Sequence, residues 1–311
     1  MTDLGRYILE EWAEEYHGGR LGRRELLRRV AIFAGGALGG ARLLDSLGVA
    51  ASADEIAAAA LGPVPAIVRA LAPQVPPDDP AVDGRMVTFP MGPASVIGYL
   101  AQPKSGAPSP GVVIIHENRG LTDHFKDVAR RFAKAGYVAV APDLASPAGG
   151  TARFPDSAEV SALLGKTPPG QLVAMPDAAV RYLQGLPAVR RDRVGVIGFC
   201  FGGGVTWELA TQNPDLKAAA PFYGSNPPLE DVPRIRAAIL AIYGALDQRI
   251  DAGMPAVRAA MQNAGIVHEI VVYDGANHAF FNDTGNSYNA QAAQDAWNRV
   301  MAWFGKYLKG A

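Results

Sequence analysis

The sequence predicts an α/β domain, a mostly parallel central sheet with helices on both faces, preceded by a helical N-terminal extension. Three observations predict it. Short apolar, β-branched runs recur along residues 85–311, and most are followed by a stretch with helical spacing of its apolar residues. The segment Gly195-Val-Ile-Gly-Phe-Cys-Phe-Gly-Gly-Gly204 turns a strand directly into a helix. The residues able to do chemistry fall just after predicted strands, where the ligand site of an open parallel sheet lies.

The bulk properties narrow the function classes. The chain has 311 residues, 49% of them hydrophobic, which suits one large domain plus an extension. A net charge of -1 gives no electrostatic case for nucleic acid. The single cysteine cannot make an internal disulfide. The longest apolar stretch, Val30 to Ala41, falls short of the roughly 18 residues of a membrane span. The oligomeric state leaves no mark in the sequence.

The extension occupies residues 1–61. Leu4, Ile8, Trp12 and Tyr16 recur every fourth position amid Glu10, Glu11, Glu14 and Glu15, which predicts an amphipathic acidic helix that packs on something. Arg23 and Arg24, the Gly-rich stretch after them and Ala51-Ser52-Ala53 resemble a twin-arginine export signal. Leu26, Leu27, Val30 and Phe33 equally form the apolar stripe of a retained helix. The protein is therefore either exported or cytoplasmic, depending on whether that signal is used. Residues 62–84, rich in proline, read as an extended linker.

In the domain, Met86–Phe89 and Val96–Ala101 predict opening antiparallel strands, and Gly111–His116 a central parallel one. A helix over Asp123–Ala135 and a strand over Tyr137–Ala141 complete a β-α-β unit. The Gly-, Pro- and Ser-rich stretch Ser146–Gly170 predicts a loop over the site with at most a short helix. Next come a helix over Val173–Leu183, the strand Val194–Ile197 and a helix over Cys200–Gln212. Strands at Lys217–Phe222, Ala238–Tyr243 and His268–Tyr273 and helices at Met254–Ala264 and Ala290–Leu308 close the chain.

Cys200 stands at the centre of the strand-to-helix turn, with Gly198 and Gly202 in the spacing G-x-C-x-G of a nucleophile elbow. At a helix N-terminus its thiolate gains from unpaired N–H groups, which predicts a pKa below the free value of about 8.5. As a plain alternative, a lone cysteine is a small buried hydrophobe. Two further strand ends decide between these. Asp247 follows the strand 238–243 and His278 the strand ending at Tyr273, so the order Cys200, Asp247, His278 is that of a nucleophile–acid–base triad. His278 would take the thiol proton and Asp247 would fix its tautomer. The backbone N–H groups of Asn118 and Phe201 would form an oxyanion hole. Glu117 would raise the thiol pKa unless protonated or engaged by Arg119. His116 and His124 lack metal-ligand spacing, so no metal is expected.

His116-Glu-Asn-Arg-Gly120, Gly198-Phe-Cys-Phe-Gly-Gly203, Leu246-Asp247 and Asn277-His278 together resemble the dienelactone hydrolase family, over roughly residues 85–308. The resemblance implies an α/β-hydrolase fold, a Cys200/His278/Asp247 triad, no cofactor, and a Glu117 that restrains the resting thiol until substrate binds. The triad order together with the elbow motivates the first function class, a cysteine-dependent hydrolase of small esters or lactones acting through a thioester on Cys200. Lactone-cleaving members carry Ser directly after the catalytic His and Arg four positions beyond it, helping to hold a substrate carboxylate; here these are Ala279 and Asn282. Arg119 is the candidate replacement cation, with Arg153 and Arg249 as others. That departure motivates a second function class, a non-hydrolytic member whose Cys200 binds or senses an electrophile or oxidant.

Overall fold

A computed structural model describes residues 1–61 and 72–310. Part of the expected linker lies outside the described residues. The sheet itself begins inside the range read as linker. β1 (Val82–Met91) and β2 (Ala94–Pro103) form an antiparallel hairpin, and Gln74 and Val75 just before it donate backbone N–H groups to the Asp127 carboxylate at 3.1 and 2.8 Å.

Six further strands complete the sheet: β3 (Ser109–Ile115), β4 (Val138–Pro142), β5 (Val189–Phe199), β6 (Ala218–Phe222), β7 (Ala238–Gly244) and β8 (His268–Tyr273). The order across the sheet is β1-β2-β4-β3-β5-β6-β7-β8, antiparallel through β4 and parallel from there. The apolar runs read from the sequence lie at its centre, Val112 to Ile115 without solvent contact. Parallel neighbours deliver the carboxyl ends of β3, β5, β7 and β8 to one rim.

The N-terminal extension adds α1 (Asp3–His17), α2 (Arg23–Ala34), α3 (Ala37–Ser46) and α4 (Ala53–Ala60). Ile8, Leu9, Trp12, Leu26, Leu27 and Val30 are buried in the same hydrophobic core as the sheet. Buried Arg28 of α2 pairs with Asp156 of the main domain. Among the described residues no helix is long and apolar enough to cross a membrane.

The other helices are α5 (Asp123–Lys134), α6 (Ser157–Lys166), α7 (Pro169–Gln184), α8 (Phe201–Gln212), α9 (Gln248–Asp251), α10 (Met254–Asn263) and α11 (Ala290–Phe304). α5 and α11 share one face, where Phe132 meets Trp297 and Phe304; α7 and α8 cover the strands β3 and β5 on the other. The stretch Ser146–Gly170 holds α6 as the short helix expected within it, but two 3-10 turns and the start of α7 take the place of the rest of the expected loop. Pro168 and Pro169 suit a helix start, whereas composition alone reads as loop there.

The β5–α8 turn sets the site. Cys200 adopts φ 56° and ψ -121°, a left-handed conformation that costs an L-residue about 1–3 kcal/mol. The glycines around it make room. A Cβ on Gly198 would stand 2.2 Å from the Gly202 carbonyl oxygen, and one on Gly202 would stand 2.5 Å from those of Ile115 and His116. We expect Gly198→Ala to destabilise the fold by about 1–3 kcal/mol. Gly170→Ala, where a new Cβ meets nothing within 4 Å, should be neutral or stabilising by about 0.4–1 kcal/mol. Urea-unfolding midpoints of the two variants check the contrast.

Candidate active site

The close approach of Gly202 to the end of β3 brings the start of α8 beside the loop His116–Gly120. Cys200 N donates to the Phe222 carbonyl at 3.1 Å and its own carbonyl starts α8 by accepting from Gly203 N at 2.9 Å. The sulfur therefore leaves the turn at the rim where β7 and β8 end. There His278 Nδ1 and Asp247 Oδ2 lie 2.5 Å apart, Asp247 fully buried and His278 at 6% exposure. A His278 ring nitrogen and Cys200 Sγ are within 4.8 Å of each other. The structure thus brings together the three residues singled out at three separate strand ends.

The oxyanion candidates are placed alongside. Among the described residues, neither Asn118 N nor Phe201 N donates a hydrogen bond. Asn118 is fixed by its carbonyl, which accepts from Ser161 Oγ at 3.0 Å. Glu117 is 7% exposed, and its Oε2 accepts from Asn282 Nδ2 at 2.8 Å. Asn282 stood out in the sequence only as a departure; it is the partner of Glu117, the part considered for Arg119. Arg119 lies at the exposed rim in the field of Glu15, Glu117 and Glu11.

His116 and His124 are buried with partners of their own: His116 Nε2 accepts from Leu144 N at 3.0 Å, and His124 Nδ1 lies 2.8 Å from Asp283. Phe199, Phe222, Phe280 and Phe281 form a buried aromatic layer under the rim, Phe199 stacked on Phe281 at 5.0 Å.

Sequence motifs gave no sign that α1 is part of the site. Its Tyr7 hydroxyl stands 3.6 Å from Cys200 Sγ and 3.4 Å from His278 Nε2. Glu11 Oε2 accepts from Cys200 Sγ at 3.4 Å and from Asn118 Nδ2 at 2.9 Å. Cys200 is left 1% exposed. The i, i+4 spacing announces a buried face on this helix, and Tyr7 and Glu11, three and seven positions after Leu4, lie beside it, but the spacing does not say what that face meets.

Residues 96–308 match the model of the dienelactone hydrolase family. The chain belongs to that family. It is 36% identical over 233 residues, 71% of this chain and 80% of the other, to a Methylorubrum extorquens protein named provisionally as a carboxymethylenebutenolidase. A structure from Klebsiella pneumoniae, titled provisionally as a dienelactone hydrolase, superposes with TM-score 0.67 at 32% identity, covering 73% of this chain and all (100%) of that one. A dienelactone hydrolase-like promiscuous phosphotriesterase from metagenomic libraries superposes at 0.66 with 29% identity, covering 73% and 99%. As a dienelactone hydrolase family member with an α/β-hydrolase fold, the protein is a hydrolase acting on ester or lactone bonds of a small-molecule substrate.

In this family member the electrostatics differ from what the elbow alone predicts. Burial first and Glu11 second push the Cys200 thiol up to about 11, with His278 pulling the other way. The helix N-terminus does not prevail, because a thiolate here would lie dehydrated beside a carboxylate. Burial also opposes a charged imidazole, but Asp247 outweighs it and holds the His278 pKa well above the ordinary histidine range. Glu11, Cys200 and His278 bring donor atoms within 4.8 Å of one another, a set able to hold a soft divalent cation. A metal there would take the thiol and imidazole out of use.

A thiol pKa raised on folding contributes stability below the unfolded value of about 8.5, lost as pH rises through the folded one. The same shift governs reactivity. Alkylation of Cys200 by iodoacetamide in the intact chain should accelerate with pH continuously up to about 11. A rate that levels off near neutrality would contradict it.

Proposed function

We propose that the protein hydrolyses small esters or lactones through a thioester acyl-enzyme on Cys200. The observation that carries this reading is the His278–Asp247 contact of 2.5 Å directed at the sulfur of a nucleophile elbow. His278 Nε2 takes the thiol proton while the sulfur attacks the carbonyl carbon. The carbonyl electron pair moves onto oxygen, which the N–H groups of Asn118 and Phe201 hold. Collapse breaks the carbon–oxygen bond, and the departing alkoxide takes the proton from His278. A water that gives its proton to His278 then attacks the thioester, releasing the acid and restoring the thiol. Asp247 holds Nδ1–H throughout, so each transfer runs through Nε2, which must be unprotonated before it takes the thiol proton; the raised His278 pKa then stabilises the imidazolium that forms.

Substrate binding departs from the lactone-cleaving pattern. Ala279 offers no hydroxyl, and Asn282 spends its amide on Glu117. We assign recognition of any substrate carboxylate to Arg119 at the rim. Glu117, with one oxygen on Asn282 and the other without a partner among the described residues, adds to the rise of the thiol pKa and so acts as a restraint on the resting sulfur.

A sensor of electrophiles or oxidants is the other class. It needs an exposed thiolate of low pKa, and no aspartate-oriented imidazole. The buried thiol of raised pKa weighs against a resting nucleophile of either class, so what favours the hydrolase is the imidazole oriented by Asp247.

A short-chain chromogenic ester tests the assignment. Cys200→Ala should reduce turnover to background, and Asp247→Asn should cost about 10,000-fold in kcat by leaving His278 in the wrong tautomer. Turnover that survives Cys200→Ala would end the reading.

A further inference from the structure

The residue that closes the site belongs to none of the motifs that define it. α1 lies across the rim with its inward face buried: Tyr7, Ile8, Leu9 and Trp12 are each at most 5% exposed. Its Tyr7 hydroxyl touches both the sulfur and the imidazole nitrogen that would receive the thiol proton. Its Glu11 carboxylate takes the thiol proton's hydrogen bond and the Asn118 side chain. Atoms of α1 thus contact the nucleophile, the base and the oxyanion loop, which are the three places a bound ester must reach.

The helix is seated on three sides. Gly5 meets Gly165 of α6 so closely that a Cβ on Gly5 would stand 2.6 Å from the Gly165 carbonyl oxygen, and Thr2 Oγ1 donates to that same carbonyl at 2.5 Å. On the α2 side Trp12 packs edge-on against Phe33 at 6.0 Å, and Arg29 reaches Glu15 at 3.3 Å. Beyond the site, the Arg249 guanidinium of α9 lies 4.6 Å from the Tyr7 ring centroid and 3.3 Å from Glu14. Only residues 18–22 join α1 to α2, and Gly19 there has φ 71° with open space around it. The seat combines apolar burial with an unfavourable element, the Glu11 carboxyl, whose pKa burial raises. Such a contact can be released without dismantling the sheet, since α1 contributes no strand and no part of the elbow.

We propose that α1 is an intramolecular plug: it fills the substrate cleft of the hydrolase in its resting form and must swing out about residues 18–22 before an ester reaches Cys200. This rests on the assignment of Cys200 as nucleophile. The plug acts twice, by volume through Tyr7 and by charge through Glu11.

Two full-length variants test it. Tyr7→Ala/Glu11→Ala removes the contacts inside the cleft; Gly5→Leu crowds the seat on α6 without touching the triad. For each, circular dichroism verifies the fold, and two rates are measured: iodoacetamide alkylation of Cys200, the chain's single cysteine, and turnover of a short chromogenic ester. Both rates should rise about tenfold or more in both variants, as expected when a minor open population becomes dominant. Folded variants that alkylate at the wild-type rate would overturn the plug. Faster alkylation with no Cys200-dependent turnover in any form would keep the plug and sink the hydrolase reading. Cys200-dependent turnover with alkylation unchanged by either variant would do the reverse.

Discussion

One strained peptide unit organises this molecule. Cys200 stays in a left-handed conformation only because the carbonyls of Ile115, His116 and Gly202 crowd spaces where glycine alone fits. That crowding fixes the distance between β3 and the start of α8, and with it the relation of the sulfur to Asn118 N and Phe201 N. The parallel sheet then places the ends of β7 and β8 on the same rim. The hydrolase site is a product of backbone geometry before any side-chain preference is considered.

The second determinant is charge held away from water. Asp247 is fully buried and spends one oxygen on His278, while the other is unpartnered among the described residues. A buried carboxylate without full compensation is costly, and an imidazolium beside it offsets that cost. The same low dielectric makes Glu11 effective against the thiolate. Two carboxylates in one cavity therefore act in opposite directions, Asp247 favouring proton uptake by His278 and Glu11 disfavouring proton loss from Cys200.

Much of this was legible in the sequence because strand ends are. Val112–Ile115, Ile239–Ile242 and His268–Tyr273 are short apolar or β-branched runs, and the residues directly after each run must lie at the carboxyl rim. G-x-C-x-G carries a steric reason that needs no tertiary context. The seat of α1 was not legible. Periodicity shows that Ile8 and Trp12 face something and sets Tyr7 and Glu11, at i+3 and i+7 from Leu4, beside them, but it does not say what that face meets. Glu11 sits among Glu10, Glu14 and Glu15, and a carboxylate is rarely buried, so the sequence does not single it out as the buried one while the others stay half-buried. The thiol pKa escapes a sequence-level reading for the same reason: the helix N-terminus is a local feature, whereas Glu11 is 189 residues away. α3 and α4 escape it because Gly- and Ala-rich segments carry little apolar pattern.

Tyr7 and Cys200 belong to one chain, and this sets how their contact responds to surroundings. A tethered segment competes with a diffusing ligand at an effective concentration in the millimolar range for a short flexible connection, whatever the amount of protein present. With α1 as the proposed plug, dilution would leave the closure untouched, and an ester would have to compete with a segment that cannot diffuse away. The five residues between α1 and α2 would thereby set a threshold of substrate supply, independent of how much enzyme a cell makes.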